Sequence, residues 1–201
     1  MTQARGIKKG SKITAEPIRK KKDIKSISRL LKSHPRNYLL WVMGINNGLR
    51  ANDLVKIKYS QVEGLKTGAV IKIVESKTGK ANVLVINKSV HKALQLYIKE
   101  ENPDPEDYLF KSRKGSGHIS SQSVGRMIRS WAAAINLKGQ YGAHTLRKTF
   151  GYHQRVYHGA GFELLCKRYH HSSPVVTMRY LGIESKEITE MLMNVVGCFR
   201  K

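Results

Sequence analysis

Six side chains in this sequence are of the types that phosphodiester chemistry requires: Arg50, Lys77, His144, Arg147, His171 and Tyr180. Breaking such a bond needs a nucleophile, an acid for the leaving oxygen, and compensation for charge on the non-bridging oxygens. Arginine suits the last task, because its planar fork makes paired bonds to phosphate and keeps its proton. Two arginines could stand there in place of metal ions. A tyrosine hydroxyl ionises near a pH of about 10, so it needs a base or a strong positive field. Histidine supplies the base. A lysine ammonium can protonate a leaving 5′ oxygen. A covalent phosphotyrosine would conserve the bond energy, and no nucleotide cofactor would then be needed. In keeping with this, the chain has no GxxxxGK[ST] phosphate loop, no carboxylate cluster of a two-metal nuclease and no CxxC pair. No cofactor and no metal are expected, and a site built on Cys166, His170 and His171 lacks a fourth ligand.

These residues need elements to hold them. Ile24, Ile27, Leu30 and Leu31 share a helical face, Pro35 ends that helix, and a more buried one runs through Leu39 to Ile45. Gly48 reads as its stop and places Arg50 just beyond, with a short helix over Asp53 to Ile57. Ala69–Glu75 and Ala81–Ile86 read as a β-hairpin with Lys77 in the intervening turn. Ser89 reads as the cap of a helix carrying Val90, Ala93, Leu94, Tyr97 and Ile98. Tyr108–Phe110 reads as a short strand, followed by a basic Gly/Ser loop from Lys111 to His118. Val124, Met127, Ile128, Trp131 and Ile135 mark a further helix, with Trp41 and Trp131 expected in the core. Another helix starts near His144 and carries Arg147 three residues on, on the same face. Ser173-Pro174 is a cap and first-turn pair for the helix that carries Tyr180. The outline is mainly α with a small antiparallel β-sheet, an α+β chain.

Charge narrows the partner. The 201 residues carry 37 Lys and Arg against 14 acids, a formal +23. So basic a chain calls for a polyanion, with nucleic acid the leading choice. No wide basic-amphipathic helix or membrane-length apolar run is present, so no membrane partner is expected. Two cysteines without paired spacing fit a reducing compartment, and the N-terminal residues lack the apolar stretch of a signal peptide. The expected location is cytoplasmic. Residues 1–22 read as a basic flexible arm or linker, 23–183 as the catalytic domain, and 184–201 as an amphipathic tail with Ile188, Met191, Leu192 and Val195.

The boxes resemble the tyrosine recombinases of the phage integrase type. Gly48-Leu49-Arg50 with Asp53 is similar to their first arginine box, and Ser76-Lys77-Thr78-Gly79 to their hairpin lysine. His144-Thr145-Leu146-Arg147 is similar to their HxxR box. His171-Ser172-Ser173 followed by Thr177-Met178-Arg179-Tyr180 is similar to their second-histidine and nucleophile boxes. Each box alone is weak, but four in the family's order over Asp23 to Val196 are specific. The family has glycine where this chain has His170, and the Ser-Ser that follows selects His171.

The resemblance implies the catalytic-domain fold and a role for each residue. Arg50 and Arg147 would clamp the scissile phosphate, and His144 would take the tyrosine proton. Lys77 would be the acid for the 5′ hydroxyl, and His171 would bond a non-bridging oxygen. Tyr180 would form a 3′-phosphotyrosine, with Asp53 buttressing the arginine. His170, Lys80, Arg113 and Lys114 are candidate DNA contacts, although a solvated turn is the preferred reading of Lys80. The implied activity is metal-independent, site-specific recombination of double-stranded DNA through a Holliday junction (integration, excision or inversion). A homotetramer would act on DNA, monomeric when free, with the tail docking on a neighbouring protomer or packing on its own domain. The alternatives are a type IB topoisomerase-like or hairpin-resolving enzyme, and a non-catalytic DNA-binding protein of the same fold. Taken singly, each residue also has an ordinary reading: Tyr180 is one of nine tyrosines, and Arg50 sits where arginines cap helix carbonyls.

Overall fold

The structure, a computed structural model, describes residues 15–183 and 189–194. Its first helix, α1 (Lys21–Leu31), buries Ile27 and Leu31 with Ile24 against the core. Leu30, expected on that face, is 40% exposed. At 100° per residue it falls on the flank of the stripe, well off the line through Ile24, Ile27 and Leu31.

Helix α2 (Pro35–Asn47) is the axis of the fold, burying five successive side chains from Leu39 to Met43. A helix apolar on every side must be surrounded, and α4 and α6 pack along it. It opens with proline at N1 and stops at Gly48, whose φ is +62°. Glycine is required there twice over: the conformation is left-handed, and a β-carbon would meet the Phe150 ring at 2.3 Å. The stop aims the chain at Arg50 and helix α3 (Ala51–Leu54). That helix starts and ends earlier than the expected Asp53–Ile57, and Ile57 instead sends its carbonyl to the Leu109 amide.

The hairpin forms as expected, from β1 (Val70–Val74) and β2 (Ala81–Val85), antiparallel with Ile71 opposite Leu84. No third strand is found among the described residues. Tyr108 makes only an isolated bridge to Lys58. The apolar Leu109 and Phe110 are both fully buried, so core burial rather than strand alternation accounts for them.

Helix α4 (Lys88–Glu101) is capped by Asn87, whose side chain accepts the Val90 N–H, and not by Ser89, which lies inside the first turn. Ser120 caps α5 (Ser121–Ala134), where Trp131 meets Trp41 edge-on in the main core. Helix α6 (Ala143–His158) follows, then α7 (Phe162–Tyr169) and α8 (Pro174–Leu181), the last capped by Ser173 with Pro174 at N1 as expected. Helices α7 and α8 sit on α6 through a small second core of Tyr152, Leu165, Tyr169, Leu181 and Ile183.

Of the arm read at residues 1–22, residues 15–20 form no helix or strand, and Ile18 lies against α6. Ile18 is 1% exposed, its N–H donates to Thr149 Oγ1 at 2.9 Å, and its carbonyl accepts from His153 Nε2. Of the tail residues, Met191 and Leu192 are exposed, while Ile188 and Val195 lie outside the described residues. No helix among the described residues is long and apolar enough to cross a membrane.

Candidate active site

Four segments distant in sequence meet at the carbonyl end of α2. A cleft of about 310 Å³ is lined by Arg50 and Asp53 from the start of α3, Ser76 and Lys77 from the hairpin turn, Ser121 from α5, and His144 and Arg147 from α6. A spacing of three residues, just under one turn, puts His144 and Arg147 on the same face of α6, and both line the cleft.

Arg147 is nearly buried, and its guanidinium ties two elements together. It donates to the Gly48 carbonyl and to the Tyr169 carbonyl, each at 2.8 Å, with Tyr169 returning its hydroxyl to the Arg147 carbonyl at 2.7 Å. Two of its five N–H bonds are thereby spent on position, and the guanidinium also stands within hydrogen-bond reach of Tyr180. Arg50 pairs with the buried Glu75. Asp53 accepts the Ser76 N–H on one carboxylate oxygen at 2.8 Å, while its other oxygen is buried without a partner.

Tyr180 comes from the last turn of α8, and its hydroxyl lies 3.4 Å from Nδ1 of His144. The His171 ring stands 5.1 Å from the Tyr180 ring, centroid to centroid, and its Nδ1 is held 3.0 Å from Thr177 Oγ1. The Lys148 ammonium sits 4.8 Å over the Tyr180 ring. Burial raises the Tyr180 hydroxyl to about 12 against the pull of Arg147 and Arg50, so it is protonated at rest. Burial lowers His144, and the charges of Arg147, Lys148, Arg50 and Lys77 lower it further. His171 is pushed down to about 4 by burial and then by Arg147 and Arg50. Both imidazoles are therefore neutral near pH 7, and His144 can accept a proton from Tyr180.

All six residues singled out for chemistry converge here, with Asp53 beneath them. The four candidate DNA contacts do not line the cleft. His170 caps the carbonyl end of α7 with φ +51°, and Lys80 closes the hairpin turn. Arg113 and Lys114 stand on an exposed loop between the bridged Lys111 and His118, and Arg113 borders a separate cleft at the start of α2 with Arg36 and Tyr97.

Several residues that hold the site carry no local signal in the sequence. Glu75 looks like one more strand residue, yet it is the acid that partners Arg50. Arg168 reads as a surface cation on α7, yet it donates to the Asn47 carbonyl at the end of α2 and to Asn82 in β2. Tyr169 and Thr177 are fully buried orienters of Arg147 and His171. Only the tertiary pairing reveals them.

The description "Phage integrase family" fits residues 18–187. The chain is 36% identical over 185 residues to a probable integrase/recombinase, YoeC, of Bacillus subtilis, covering 90% of this chain and 97% of that one. It is 24% identical over 159 residues to the tyrosine recombinase XerD of Rickettsia bellii, covering 74% of this chain and 52% of that protein. It superposes with a TM-score of 0.65 and 21% identity on the site-specific recombinase XerH bound to a palindromic difH substrate in a post-cleavage complex, covering 90% of this chain and 52% of that one. The chain thus spans about half the length of the last two and nearly all of the first.

Proposed function

This chain belongs to the phage integrase family, with the fold of a tyrosine recombinase catalytic domain, and from its cleft we propose that it cleaves and rejoins DNA through a 3′-phosphotyrosine at Tyr180. The observation that carries the proposal is the Tyr180 hydroxyl, within reach of the neutral His144 beside two guanidiniums.

The geometry supports the following sequence. The Tyr180 oxygen attacks the scissile phosphorus as its proton passes to Nδ1 of His144. Arg147, already braced on two carbonyls, and Arg50 draw charge from the non-bridging oxygens, with His171 bonding one of them. Lys77 gives its proton to the departing 5′ oxygen, so the products are a phosphotyrosine ester and a free 5′ hydroxyl. The reverse attack by another 5′ hydroxyl rejoins the strand, and no outside energy source enters. Asp53 braces the Lys77 turn through the Ser76 N–H.

Double-stranded DNA is the substrate in this reading. The formal charge of +23 supports it, as does the DNA-bound XerH of similar fold. Recombination proceeds in a tetramer through a Holliday junction without a metal, in the cytoplasm. Residues 23–183 form the catalytic unit, 1–22 a basic arm or linker whose Ile18 is packed on that unit, and 184–201 a tail that docks on a neighbour. His170, Arg113 and Lys114 are placed to contact the backbone beyond the cleft, with Lys80 a solvated turn residue.

The test is expression of the full chain and of Tyr180→Phe, denaturation of the lysates, and sequencing of any DNA left covalently attached. Tyrosine-dependent adducts at a few sites are expected. Dispersed adducts would indicate a topoisomerase-like activity. No adduct with DNA binding retained would indicate a binding protein.

A further inference from the structure

Glu75 stands where three parts of the cleft join, and nothing in its own chemistry would place it there unless it had a task. It is 1% exposed, at the end of β1. A carboxylate removed from water is costly unless its oxygens are bonded. Here both are: Oε1 accepts from the Asn82 amide at 2.9 Å, and Oε2 pairs with Arg50 and accepts the Thr78 hydroxyl at 2.8 Å. Burial pushes this carboxyl up, but the bonds from Arg50, Thr78 and Asn82 outweigh it and hold it at about 2, ionised at any working pH. The backbone of the same residue closes the turn. The Glu75 N–H donates to the Lys80 carbonyl, and its carbonyl accepts the N–H groups of Thr78 and Gly79. Lys77 rides on that turn with its side chain in solvent.

We infer that Glu75 is the positioning residue that locks the phosphate-clamping Arg50 and the turn bearing Lys77 into one unit. The inference rests on the reading of Lys77 as leaving-group acid and Arg50 as clamp. A long lysine side chain loses rotamer freedom to reach its target, and a turn fixed at both ends leaves only that freedom to be lost. Without the carboxylate, Arg50 loses its partner and the turn loses its side-chain tie through Thr78.

The experiment compares two DNA substrates, one natural and one with sulfur in place of the bridging 5′ oxygen. A thiolate leaves without a proton, since thiols ionise near a pH of about 8.5 and alcohols far higher. Cleavage is followed as accumulation of Tyr180-linked DNA for the wild type, Glu75→Gln, Thr78→Val and Lys77→Ala, each checked by thermal melting. Glu75→Gln should cleave the oxygen substrate about 10- to 100-fold more slowly, within the range a positioned proton donor supplies. The sulfur substrate should recover the part of this deficit that runs through Lys77 and leave the part that runs through Arg50. Thr78→Val touches only the exposed turn, so folding is not at stake. It should be slower on oxygen by severalfold and normal on sulfur. A Glu75→Gln rate equal to wild type, or equal deficits on both substrates for Glu75→Gln and Thr78→Val, would overturn the inference. Failure of sulfur to rescue Lys77→Ala would overturn it by removing the acid it positions. Absence of wild-type adduct on either substrate would instead bring down the functional reading itself.

Discussion

Gly151 lies in α6 directly beneath Tyr169. A β-carbon there would stand 2.2 Å from the Tyr169 hydroxyl and 2.8 Å from a Leu181 methyl. Gly151→Ala therefore sets two effects against each other. Alanine favours the helix by about 1 kcal/mol. Overpacking costs about 1–3 kcal/mol, and displacing the hydroxyl breaks its bond to the Arg147 carbonyl, roughly 1 kcal/mol more. The net expectation is a loss of about 1–3 kcal/mol. Tyr169→Phe alone removes only the hydrogen bond and should cost about 1 kcal/mol. In the double variant the closest of the atoms facing the new methyl is gone, while the Tyr169 ring carbon at 3.0 Å and the buried Leu181 methyl at 2.8 Å must still yield. The hydrogen bond lost in each single variant is lost only once there, so the double variant should be more stable than the sum of the two losses, a favourable coupling of about 1–2 kcal/mol. Urea unfolding of the four proteins measures this from midpoints at unchanged slope. Losses that add to within about 0.5 kcal/mol would refute the reasoning, because the hydroxyl would not then be what Gly151 accommodates.

Two further predictions concern stability. His171 binds its proton less readily folded than unfolded, so the protein should hold full stability above the ordinary histidine range and lose it as the pH falls from about 6.5 toward 4. His171→Asn should flatten that loss, and identical acid profiles by urea midpoint for variant and wild type would count against it. Arg168→Met removes the bonds to the Asn47 carbonyl and to Asn82 but also the cost of a half-buried cation, for a net loss of about 1–3 kcal/mol. A melting temperature unchanged or raised would show that the carbonyl end of α2 does not depend on it.

Much of the fold was legible because its signals are local. Gly48 ends α2, Ser173-Pro174 begins α8, and alternation with a glycine-bearing turn makes the hairpin. The errors arose where burial and local pattern diverge. Leu109 and Phe110 are apolar because the core covers them, and Leu30 is apolar although it does not. Asn87 outcompetes Ser89 as a cap because its extended backbone lies one step before the helix begins.

By itself, the sequence determined which chemistry is available. It supplies two arginines, a lysine, two histidines and a tyrosine, each tied to a recognisable turn or cap, in a chain whose +23 charge demands a polyanion. Side-chain type and near-neighbour spacing are enough for that. Only the tertiary structure decided how these groups are held and charged. The carbonyls that brace Arg147 lie 99 and 22 residues away in sequence, and Arg168 reaches 121 residues back to Asn47. The acid facing Arg50 is one of 14 in the sequence, and only its pairing in space distinguishes it from the rest. Neutral histidines beside a protonated tyrosine follow from desolvation and from cations packed close by, and these depend on distance in space rather than along the chain.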